Sequence, residues 1–578
     1  MDTEAELNWL GRPMGCNGEG AEILAWDGRL DNRDDLTLVL KDRLRECAGD
    51  VAIVQATYER WGIGGLARLI GDWSVVIRDH ASRAIVLASD FAGVRPLYYR
   101  VQQERVFWSS RLQSILDASE SRELDQEYIH GFLLWGGCPN RTPYKGIYSV
   151  PPGHAVRITS DCIKAERFWE LPTGYTIRYR TEGEYEEHLR VLFREAVAVR
   201  LQTKAPVLAE LSGGLDSSSV VSMAKHLMLG GVTKAKRLTG VSYLWKDSLD
   251  EPFVREVETS CGIDGIHIST HDVPLISEAQ VGNAAPETFQ PLRSRVAGVA
   301  RQLGARTVLT GQGGDLLMGN WFDDSLQVAA LLRDCRVGEA CREALAWSKI
   351  LHLPIYSVLW RGFRAALPSW LTPDAIYAIS DGSFMPKSAE TSLLPSRIGQ
   401  ANLRDSRCFF SDVWMQAPPE RRKHFRQFST LLELRTFQAP ESLQDLDYTH
   451  PFVHRPLVEF LLAVPASVLC RPGEPRKLMR STLSHLWPVK LRKRRSKSLF
   501  NAPWQEALRP LARVLLRSKR FHVVDHGFAD RDSLISRLRS LAVGLDCNEA
   551  QLRQIIVLEL WLRCRADGDV RGPAVRAA

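Results

Sequence analysis

The sequence contains no apolar run long enough to cross a membrane. Spanning a bilayer takes about 18 or more consecutive apolar residues, and the longest apolar stretch, Leu457–Cys470, is interrupted by Glu459 and Pro465. Residues 1–13 are acidic on balance and lack the apolar core of a secretory signal. These absences predict a cytoplasmic protein that does not engage a membrane.

Paired cysteines and a strong charge excess are also absent. The eleven cysteines are scattered singly and form no CxxC pair, which argues against a zinc ribbon or a thioredoxin-type site. An odd, low-density set is typical of reduced cytosolic thiols. A net charge of +7 over 578 residues is a mild bias, which favours a solvated surface over nucleic-acid binding.

A chain of 578 residues with 45% hydrophobic and 25% charged residues suits a globular protein of two or three domains. The first part is rich in short apolar runs that end at turn residues. Its predicted strands are Gly71–Arg78, Ala84–Ser89, Val94–Tyr99, Arg105–Ser109 and His154–Thr159. This pattern predicts an α+β sandwich domain over residues 1–172, followed by a linker near residues 172–184.

Strands then alternate with helices. The predicted strands are Pro206–Leu211, Gly240–Trp245, Gly265–Ile268 and Thr307–Thr310, and the predicted helices are Ser217–Leu229, Glu251–Cys261 and Ser294–Leu303. This alternation predicts an α/β domain over residues 185–578, built on a doubly wound parallel sheet and mostly helical beyond about residue 325. Ligands of such sheets bind where the carboxyl ends of the strands meet.

A glycine loop, SGGLDSSS at residues 212–219, falls where the first parallel strand becomes a helix. Its glycines permit close approach to an anion, and the helix adds free N–H groups and the positive end of its dipole. Asp216 suits Mg²⁺ bound to phosphates. The alternative, a plain turn with a helix cap, is disfavoured by the loop's position on the first strand. The predicted nucleotide-binding residues here are Leu211, Ser212, Gly213, Gly214, Asp216, Ser217 and Ser218.

A second glycine-rich loop, TGQGGD at residues 310–315, follows the fourth parallel strand. It lies on the same predicted sheet edge as the first loop, so Asp315 and Asp216 are expected to share one Mg²⁺. An ordinary turn aspartate is the alternative for Asp315. Thr310 and Gly311 are predicted to contact the nucleotide, and Val241, on the second strand, is predicted to flank its adenine.

The first loop contains no GxxxxGK[ST] and is not a Walker loop. It resembles the PP-loop of the N-type ATP pyrophosphatases, and several segments resemble the asparagine synthetase superfamily over nearly the whole chain. These segments are Trp26–Arg33 (the glutamine-site segment), Gly93–Tyr99 (GVKPLYY), Pro451–Phe460 (PFLDxxLVEF), Lys477 with Arg480 (KxxLR) and Arg494–Phe500 (RxKxxF). The resemblance implies a degenerate Ntn-type glutaminase-like sandwich, followed by a PP-loop ATP pyrophosphatase domain. That domain would use ATP and Mg²⁺ to adenylate a carboxylate before an amine attacks it.

The resemblance fails at the glutaminase nucleophile. Glutamine-dependent members begin with Met-Cys, because the exposed cysteine is the nucleophile. Here Asp2 follows Met1, and Cys16 is not terminal. The glutamine-site-like segment also begins tens of residues early. These departures predict a degenerate domain with no ammonia supply, which makes the substrate itself the expected source of the amine.

Two branches of the superfamily use an amine of the substrate: β-lactam synthetases and lasso-peptide cyclases. The GRLDNR segment at residues 28–33 and the truncated start are most similar to the cyclase branch. That branch joins the N-terminal amine of a precursor peptide to an Asp or Glu side chain. The expected partners are therefore the core peptide, a leader-recognition protein and a leader peptidase, with no nucleic acid. The alternative is a small-molecule ligase of the β-lactam or ammonia-dependent asparagine type.

The resemblance also implies catalytic roles. Lys497 would stabilise the pentavalent phosphate and the later oxyanion, although its charge pattern alone fits a solvated basic run at residues 492–495. Gln312 replaces the glutamate of the family's second loop and cannot act as a base. Asp447 aligns with the glutamate of the β-lactam synthetase Tyr–Glu pair. His450 is the second candidate base.

Overall fold

The fold was analysed in a computed structural model of the chain. The described residues are 8–9, 21–45, 47–103, 105–119, 121–138, 140–277, 284–320, 323–367, 413–414, 416–494, 501–545 and 549–570. Among them, no helix is both long enough and apolar enough to cross a bilayer.

Two antiparallel sheets form the first part of the chain. Their strands are β1 Asn8–Trp9, β2 Ala21–Leu30, β3 Gly71–Asp79, β4 Ala84–Ser89, β5 Tyr98–Gln102, β6 Arg105–Ser109, β7 Tyr148–Ser149, β8 His154–Ile158 and β9 Ile163–Arg167. The strand orders are β2-β3-β4-β8-β9 and β1-β6-β5-β7. The accompanying helices are α1 Arg33–Val39, α2 Asp50–Trp61, α3 Ile63–Leu66, α4 Leu112–Asp117 and α5 Gln126–Trp135.

Strand β3 is buried on both faces over residues 71–77. Val75 and Ile77 pack in one core, which includes residues of α1 and α2. Val76 points the other way, into the core between the two sheets, where it joins Leu97 and Trp108. Alternating side chains of a strand point to opposite faces, so the three consecutive apolar residues Val75–Ile77 serve both cores. The predicted α+β sandwich is confirmed.

One predicted strand begins later than expected. The sequence predicts a strand over Val94–Tyr99, but β5 begins at Tyr98. The preceding residues form a turn around the buried carboxylate of Asp90, which accepts hydrogen bonds from the backbone N–H groups of Ala92 and Arg95. These N–H groups are therefore not available to a neighbouring strand.

A five-stranded parallel sheet forms the centre of the second part. Its strands are β10 Val207–Glu210, β11 Leu238–Leu244, β12 Asp264–Ser269, β13 Thr307–Leu309 and β14 Asp447–Thr449, in the order β12-β11-β10-β13-β14 with every pair parallel. The predicted parallel sheet and its first four strands are confirmed. The fifth strand, β14, was missed because three residues far along the chain carry no periodic signal.

Helices cover both faces of this sheet. They are α6 Glu182–Ala198, α7 Leu215–Leu229, α8 Glu251–Cys261, α9 Gln290–Leu303 and α10 Gly314–Leu317. On β10, Val207 and Ala209 face the core that contains Val220 of α7, whereas Leu208 faces the core that contains Val296 of α9. The glycine loop that precedes α7 therefore lies between two buried layers.

The rest of the described chain is helical, as predicted. Its helices are α11 Val328–Arg333, α12 Val337–Leu351, α13 Ile355–Ala366, α14 Pro419–Glu433, α15 Arg455–Ala463, α16 Ala466–Leu469, α17 Lys477–Leu483, α18 Val489–Arg492, α19 Asn501–Leu516, α20 His522–Asp525, α21 Arg531–Ala542 and α22 Glu549–Val570. The predicted linker ends at α6, whose start is fixed by a capping box between Thr181 and Glu184. The two parts share cores, because Phe91 and Trp169 pack with residues of α6 and α7.

Candidate active site

The first glycine loop connects β10 to α7 at the carboxyl edge of the parallel sheet. Gly213 has φ of +70°, and a Cβ there would lie 2.8 Å from the carbonyl oxygen of Asp250, so the turn requires glycine. Ser217 Oγ accepts a hydrogen bond from the backbone N–H of Ser212 at 3.1 Å. The predicted loop residues Ser212 to Ser218 therefore form one compact turn at the start of a helix.

The serines at the start of α7 differ in their partners. Ser219 donates its hydroxyl to Leu215 O and accepts from Trp487 Nε1. Ser218 is fully buried, and its Oγ has no hydrogen-bond partner among the described residues. A buried hydroxyl without a hydrogen-bond partner destabilises the folded protein, unless a bound ligand forms a hydrogen bond with it. Ser218 therefore retains hydrogen-bonding capacity at the helix start, where an anion would bind.

The second glycine loop packs directly on the first. A Cβ on Gly311 would lie 2.6 Å from the backbone nitrogen of Ser217, and one on Gly314 would lie 2.6 Å from Asp216 Oδ1. Two segments distant in sequence approach this closely only because glycine stands at both contacts. The structure thus brings Thr310, Gly311 and Asp315 to the loop that contains Asp216, as the sequence predicts.

The two predicted metal ligands share a cationic partner that was not predicted from the sequence. Arg476 ion-pairs with Asp216 through Nη1 and with Asp315 through Nη2. Burial alone would lower the pKa of Arg476, but the two carboxylates outweigh burial and raise it. The carboxylates of Asp216 and Asp315 therefore converge on a single positive charge, which is how a divalent cation would be held.

Leu211 and Val241 lie beside the loop, but their side chains are buried on opposite faces of the sheet. Their backbones are joined, since the N–H of Leu211 donates to Val241 O at 2.8 Å. Ser242 Oγ also donates to Leu211 O at 2.6 Å. These contacts fix the strand ends that support the loop. A nucleotide would meet the backbone here rather than these side chains.

The structure corrects the prediction that Asp447 is a catalytic base. Asp447 is the first residue of β14 and pairs with Thr307, the first residue of β13. It therefore lies at the amino edge of the sheet, opposite the glycine loops. Its carboxylate ion-pairs with Arg95 and Arg29 of the N-terminal domain. Asp447 thus joins the two domains and does not approach the predicted reaction site.

His450 is also unsuited to the predicted role of base. It is fully buried, and its Nε2 donates to Phe437 O at 2.9 Å, which leaves Nδ1 to accept from the Thr310 hydroxyl at 2.6 Å. Burial lowers the pKa of His450 to about 4. With both ring nitrogens occupied, His450 positions Thr310 at the start of the second loop and does not take a proton from a substrate.

Lys497 lies outside the described residues, but the arginine that precedes its segment is described. Arg494 donates through Nη1 to Gly213 O at 2.7 Å and ion-pairs with Asp250. Its guanidinium lies 4.1 Å from the ring centre of Phe253. Arg494 is buried, so this end of the basic run is not a solvated surface, and it braces the first glycine loop.

A carboxylate at the end of β10 was also missed. Glu210 lies two residues before the loop and accepts hydrogen bonds from Tyr243 OH at 3.4 Å and Tyr448 OH at 3.5 Å. Burial raises the pKa of Glu210, and the nearby Arg293 and the two hydroxyls offset this effect only in part. An acidic residue that ends an apolar strand beside a glycine loop is a signal present in the sequence.

Two family descriptions match the chain. Residues 188–563 match asparagine synthase, and residues 8–169 match a glutamine amidotransferase domain. The first match spans more than half of the 578 residues. The chain belongs to the asparagine synthase family. This confirms the superfamily resemblance found in the sequence.

Relatives within the asparagine synthase family are distant. The chain is 29% identical to amidase chry2 of Gibberella zeae over 47% of this chain and 43% of that protein. It is 27% identical to asparagine synthetase [glutamine-hydrolyzing] 3 of Bacillus subtilis over 37% of this chain and 35% of that protein. Each match therefore spans less than half of the relative. A glutamine phosphoribosylpyrophosphate amidotransferase structure from B. subtilis matches at 16% identity over 53% of this chain and 56% of that one, with a TM-score of 0.19.

In this asparagine synthase family chain, the segment that resembles a glutamine site contacts the other domain. Arg29 ion-pairs with Asp31 at 2.5 Å and with Asp72 at 2.9 Å. Asp72 also accepts from Thr449 Oγ1 at 2.6 Å and lies 3.2 Å from Arg200 Nη2. Although burial would raise the pKa of Asp72, Arg200 and Arg29 hold it well below its usual range. Arg29 and Asp31 of this segment therefore serve the domain interface.

A small cavity lies beside this segment. A cavity of about 20 Å³ lies between the two antiparallel sheets and is lined by residues that include Asp27, Ser74 and Trp108, with no cysteine among them. A cavity of this size holds about one water molecule.

Proposed function

We propose that the protein is an ATP-dependent, AMP-forming amide ligase that adenylates a substrate carboxylate. The observation that carries the proposal is the convergence of Asp216 and Asp315 on one cation, between two glycine loops at the carboxyl edge of a parallel sheet. Ligands of such sheets bind at this edge. Membership of the asparagine synthase family supports the same chemistry.

The residues present fit ATP and Mg²⁺. Carboxylate oxygens are the protein ligands that Mg²⁺ prefers, and Asp216 and Asp315 supply them from the two contacting loops. Ser218 Oγ, buried and without a partner among the described residues, suits a phosphate oxygen at the start of α7. When bound, Mg²⁺ would stabilise the charge of the departing pyrophosphate.

The chain's own groups would position the reacting parts. Ser212, Gly213, Gly214 and Ser217 would hold the phosphates, because the first turn of a helix offers backbone N–H groups to anions. Arg494 would keep this loop in place through Gly213 O. Lys497 is retained from the family resemblance as the cation that would stabilise the pentavalent phosphate and the later oxyanion.

For the amine, we propose a group on the substrate itself. Gln312 provides no acid in the second loop. This departure from the glutamate of the family's second loop supports an amide ligase that does not draw ammonia from glutamine. The finer proposal is a lasso-peptide cyclase, which joins the N-terminal amine of a precursor peptide to an Asp or Glu side chain. A leader-recognition protein and a leader peptidase are proposed partners.

Glu210 is proposed to accept the amine proton in place of Asp447 and His450. It ends β10 at the same sheet edge as the loops, and its raised pKa makes it a better base than an ordinary carboxylate. The ammonium group would transfer one proton to Glu210. The amine lone pair would then form the C–N bond, the C–O bond to AMP would break, and water would take the second proton.

Mass spectrometry tests the proposal. The protein, ATP and Mg²⁺ are incubated with a set of peptides that carry a free N-terminus and an internal Asp or Glu. Matched controls carry an acetylated N-terminus, or Asn and Gln in place of the acids. We expect a product lighter by one water only from the free peptides. Synthesis of asparagine from aspartate and ammonia would instead identify a small-molecule ligase.

A further inference from the structure

The guanidinium of Arg476 occupies the point where the two carboxylates of the site meet. Nη1 donates to Asp216 Oδ1 and Nη2 donates to Asp315 Oδ1, so one guanidinium binds both carboxylates, each through a different nitrogen. The Arg476 side chain is only 5% exposed, whereas that of Asp315 is 44% exposed. The site is therefore open on the Asp315 side, and Arg476 reaches it from the protein interior.

The backbone of Arg476 is held in an unusual conformation. Its φ is +57°, in the left-handed region that residues with a Cβ rarely adopt. Its N–H donates to Gly319 O at 2.9 Å, just beyond α10, which begins within the second loop. A strained conformation persists only where surrounding contacts enforce it, and such positions cluster at functional sites. The chain thus places this arginine at the carboxylates at a conformational cost.

Arg476 also connects the carboxylates to the segment that leads to Lys497. It immediately precedes α17, and Arg480 of this helix donates to Arg494 O at 2.7 Å. Arg494 in turn donates to Gly213 O. A movement of Arg476 would therefore be transmitted to both the first glycine loop and the approach to Lys497.

We propose that Arg476 is a resident counterion that holds Asp216 and Asp315 together until magnesium nucleotide arrives, and then exchanges these carboxylates for the nucleotide phosphates. In this exchange the metal ion replaces the guanidinium at the two carboxylates, and the phosphates replace the carboxylates at the guanidinium. Without nucleotide, a divalent ion would have to displace the guanidinium from both carboxylates. With nucleotide, the phosphates give the guanidinium a new anionic partner. The inference rests on the proposed function, since it needs Asp216 and Asp315 to be the metal ligands.

The first test measures Mn²⁺ binding to the nucleotide-free protein by electron paramagnetic resonance. We expect Arg476→Met to bind Mn²⁺ at least about 10-fold more tightly than the wild type, because removal of one cation leaves two carboxylates to the metal. Arg476→Lys, which keeps the charge, should behave like the wild type. Arg471→Met is the matched control, because Arg471 ion-pairs with the exposed Glu182. Unchanged Mn²⁺ affinity in Arg476→Met would overturn the inference.

The second test measures binding of a non-hydrolysable ATP analogue in the presence of Mg²⁺. We expect Arg476→Met to bind it about 10-fold more weakly, because one contact to a phosphate is lost. Arg476→Gln provides a second neutral variant if Arg476→Met does not fold, and thermal unfolding reports folding in each case. A wild type that does not bind the analogue would refute the proposed function. A wild type that binds it, with neutral variants that gain no Mn²⁺ affinity, would refute this inference alone.

Discussion

At the residue scale, some groups of the candidate site can be predicted from the sequence and others cannot. Asp216 and Asp315 were predictable because each ends a glycine-rich segment that follows a strand. Arg476 was not predictable, since the KxxLR-like segment that follows it, Lys477 with Arg480, gives no sign that the preceding arginine meets either carboxylate. Only the folded chain brings it to both carboxylates. Local motifs identify ligands, whereas their charge partners depend on tertiary contacts.

Neutralising either carboxylate should abolish nucleotide-dependent chemistry. Asp216→Asn and Asp315→Asn keep the side-chain shape and remove the charge that would hold Mg²⁺. We expect product formation to fall at least about 100-fold, which corresponds to loss of one electrostatic contact in a transition state. Asp264→Asn is the control, because Asp264 is an exposed residue that pairs with Arg237. Full activity in Asp216→Asn would remove these loops from the mechanism.

Glu210→Gln should separate the two half-reactions. ATP–pyrophosphate exchange, which reports adenylation, should persist, while amide formation should fall about 100-fold because a proton acceptor is lost. Burial raises the pKa of Glu210, so the wild-type rate should decline on the acid side as pH falls through this raised pKa. That decline should be absent from the residual rate of Glu210→Gln. Equal loss of both half-reactions would point to a structural role.

At the element scale, the two glycine loops form one unit because glycine stands at their contacts. The loop-to-helix connection over residues 212–219 was predictable, since strand, glycines and helix are adjacent in the sequence. The short strand β14 was not predictable, and the assignment of Asp447 as a base, which rested on alignment with the β-lactam synthetase glutamate, took no account of it. Parallel pairing with β13 places Asp447 at the edge away from the loops, which no local pattern indicates.

A methyl group on Gly311, where the two glycine loops touch, should push the loops apart. In Gly311→Ala, the new Cβ would lie 2.6 Å from the backbone nitrogen of Ser217, and backbone cannot move aside as a flexible side chain can. We expect a stability loss of about 1–3 kcal/mol and weaker nucleotide binding by calorimetry. Gly298→Ala is the matched control, because its Cβ would meet nothing within 4 Å inside α9 and should not destabilise the protein. Equal behaviour of the two variants would contradict the packed-loop description.

At the scale of the whole molecule, buried charges join the two domains. The GRLDNR segment was predicted from its resemblance to a glutamine site, yet Arg29 and Asp31 serve a network that includes Asp72 and Arg200. The sequence predicted the two-part architecture because each part has its own periodicity. It could not predict their interface, since that depends on pairs separated by more than a hundred residues.

Removal of Arg200 should destabilise the whole protein. Its side chain is almost fully buried against Asp72, and it also donates to Thr449 Oγ1 at 2.8 Å. Arg200→Met should lower the free energy of unfolding by about 3 kcal/mol, because it weakens the compensation of a buried carboxylate. Arg237→Met removes an exposed pair and should cost at most about 1 kcal/mol. Chemical unfolding followed by tryptophan fluorescence compares them, and equal losses would contradict a stabilising interface.

The most direct test of the account traces the oxygen atoms of the substrate carboxylate. A peptide substrate with heavy oxygen in its Asp or Glu side chain is incubated with the protein, ATP and Mg²⁺, and the nucleotide products are analysed by phosphorus NMR and mass spectrometry. Attack of the carboxylate on the α-phosphorus predicts heavy oxygen in AMP, with unlabelled pyrophosphate. Formation of ADP, with heavy oxygen in inorganic phosphate, would contradict adenylation at the Asp216–Asp315 site.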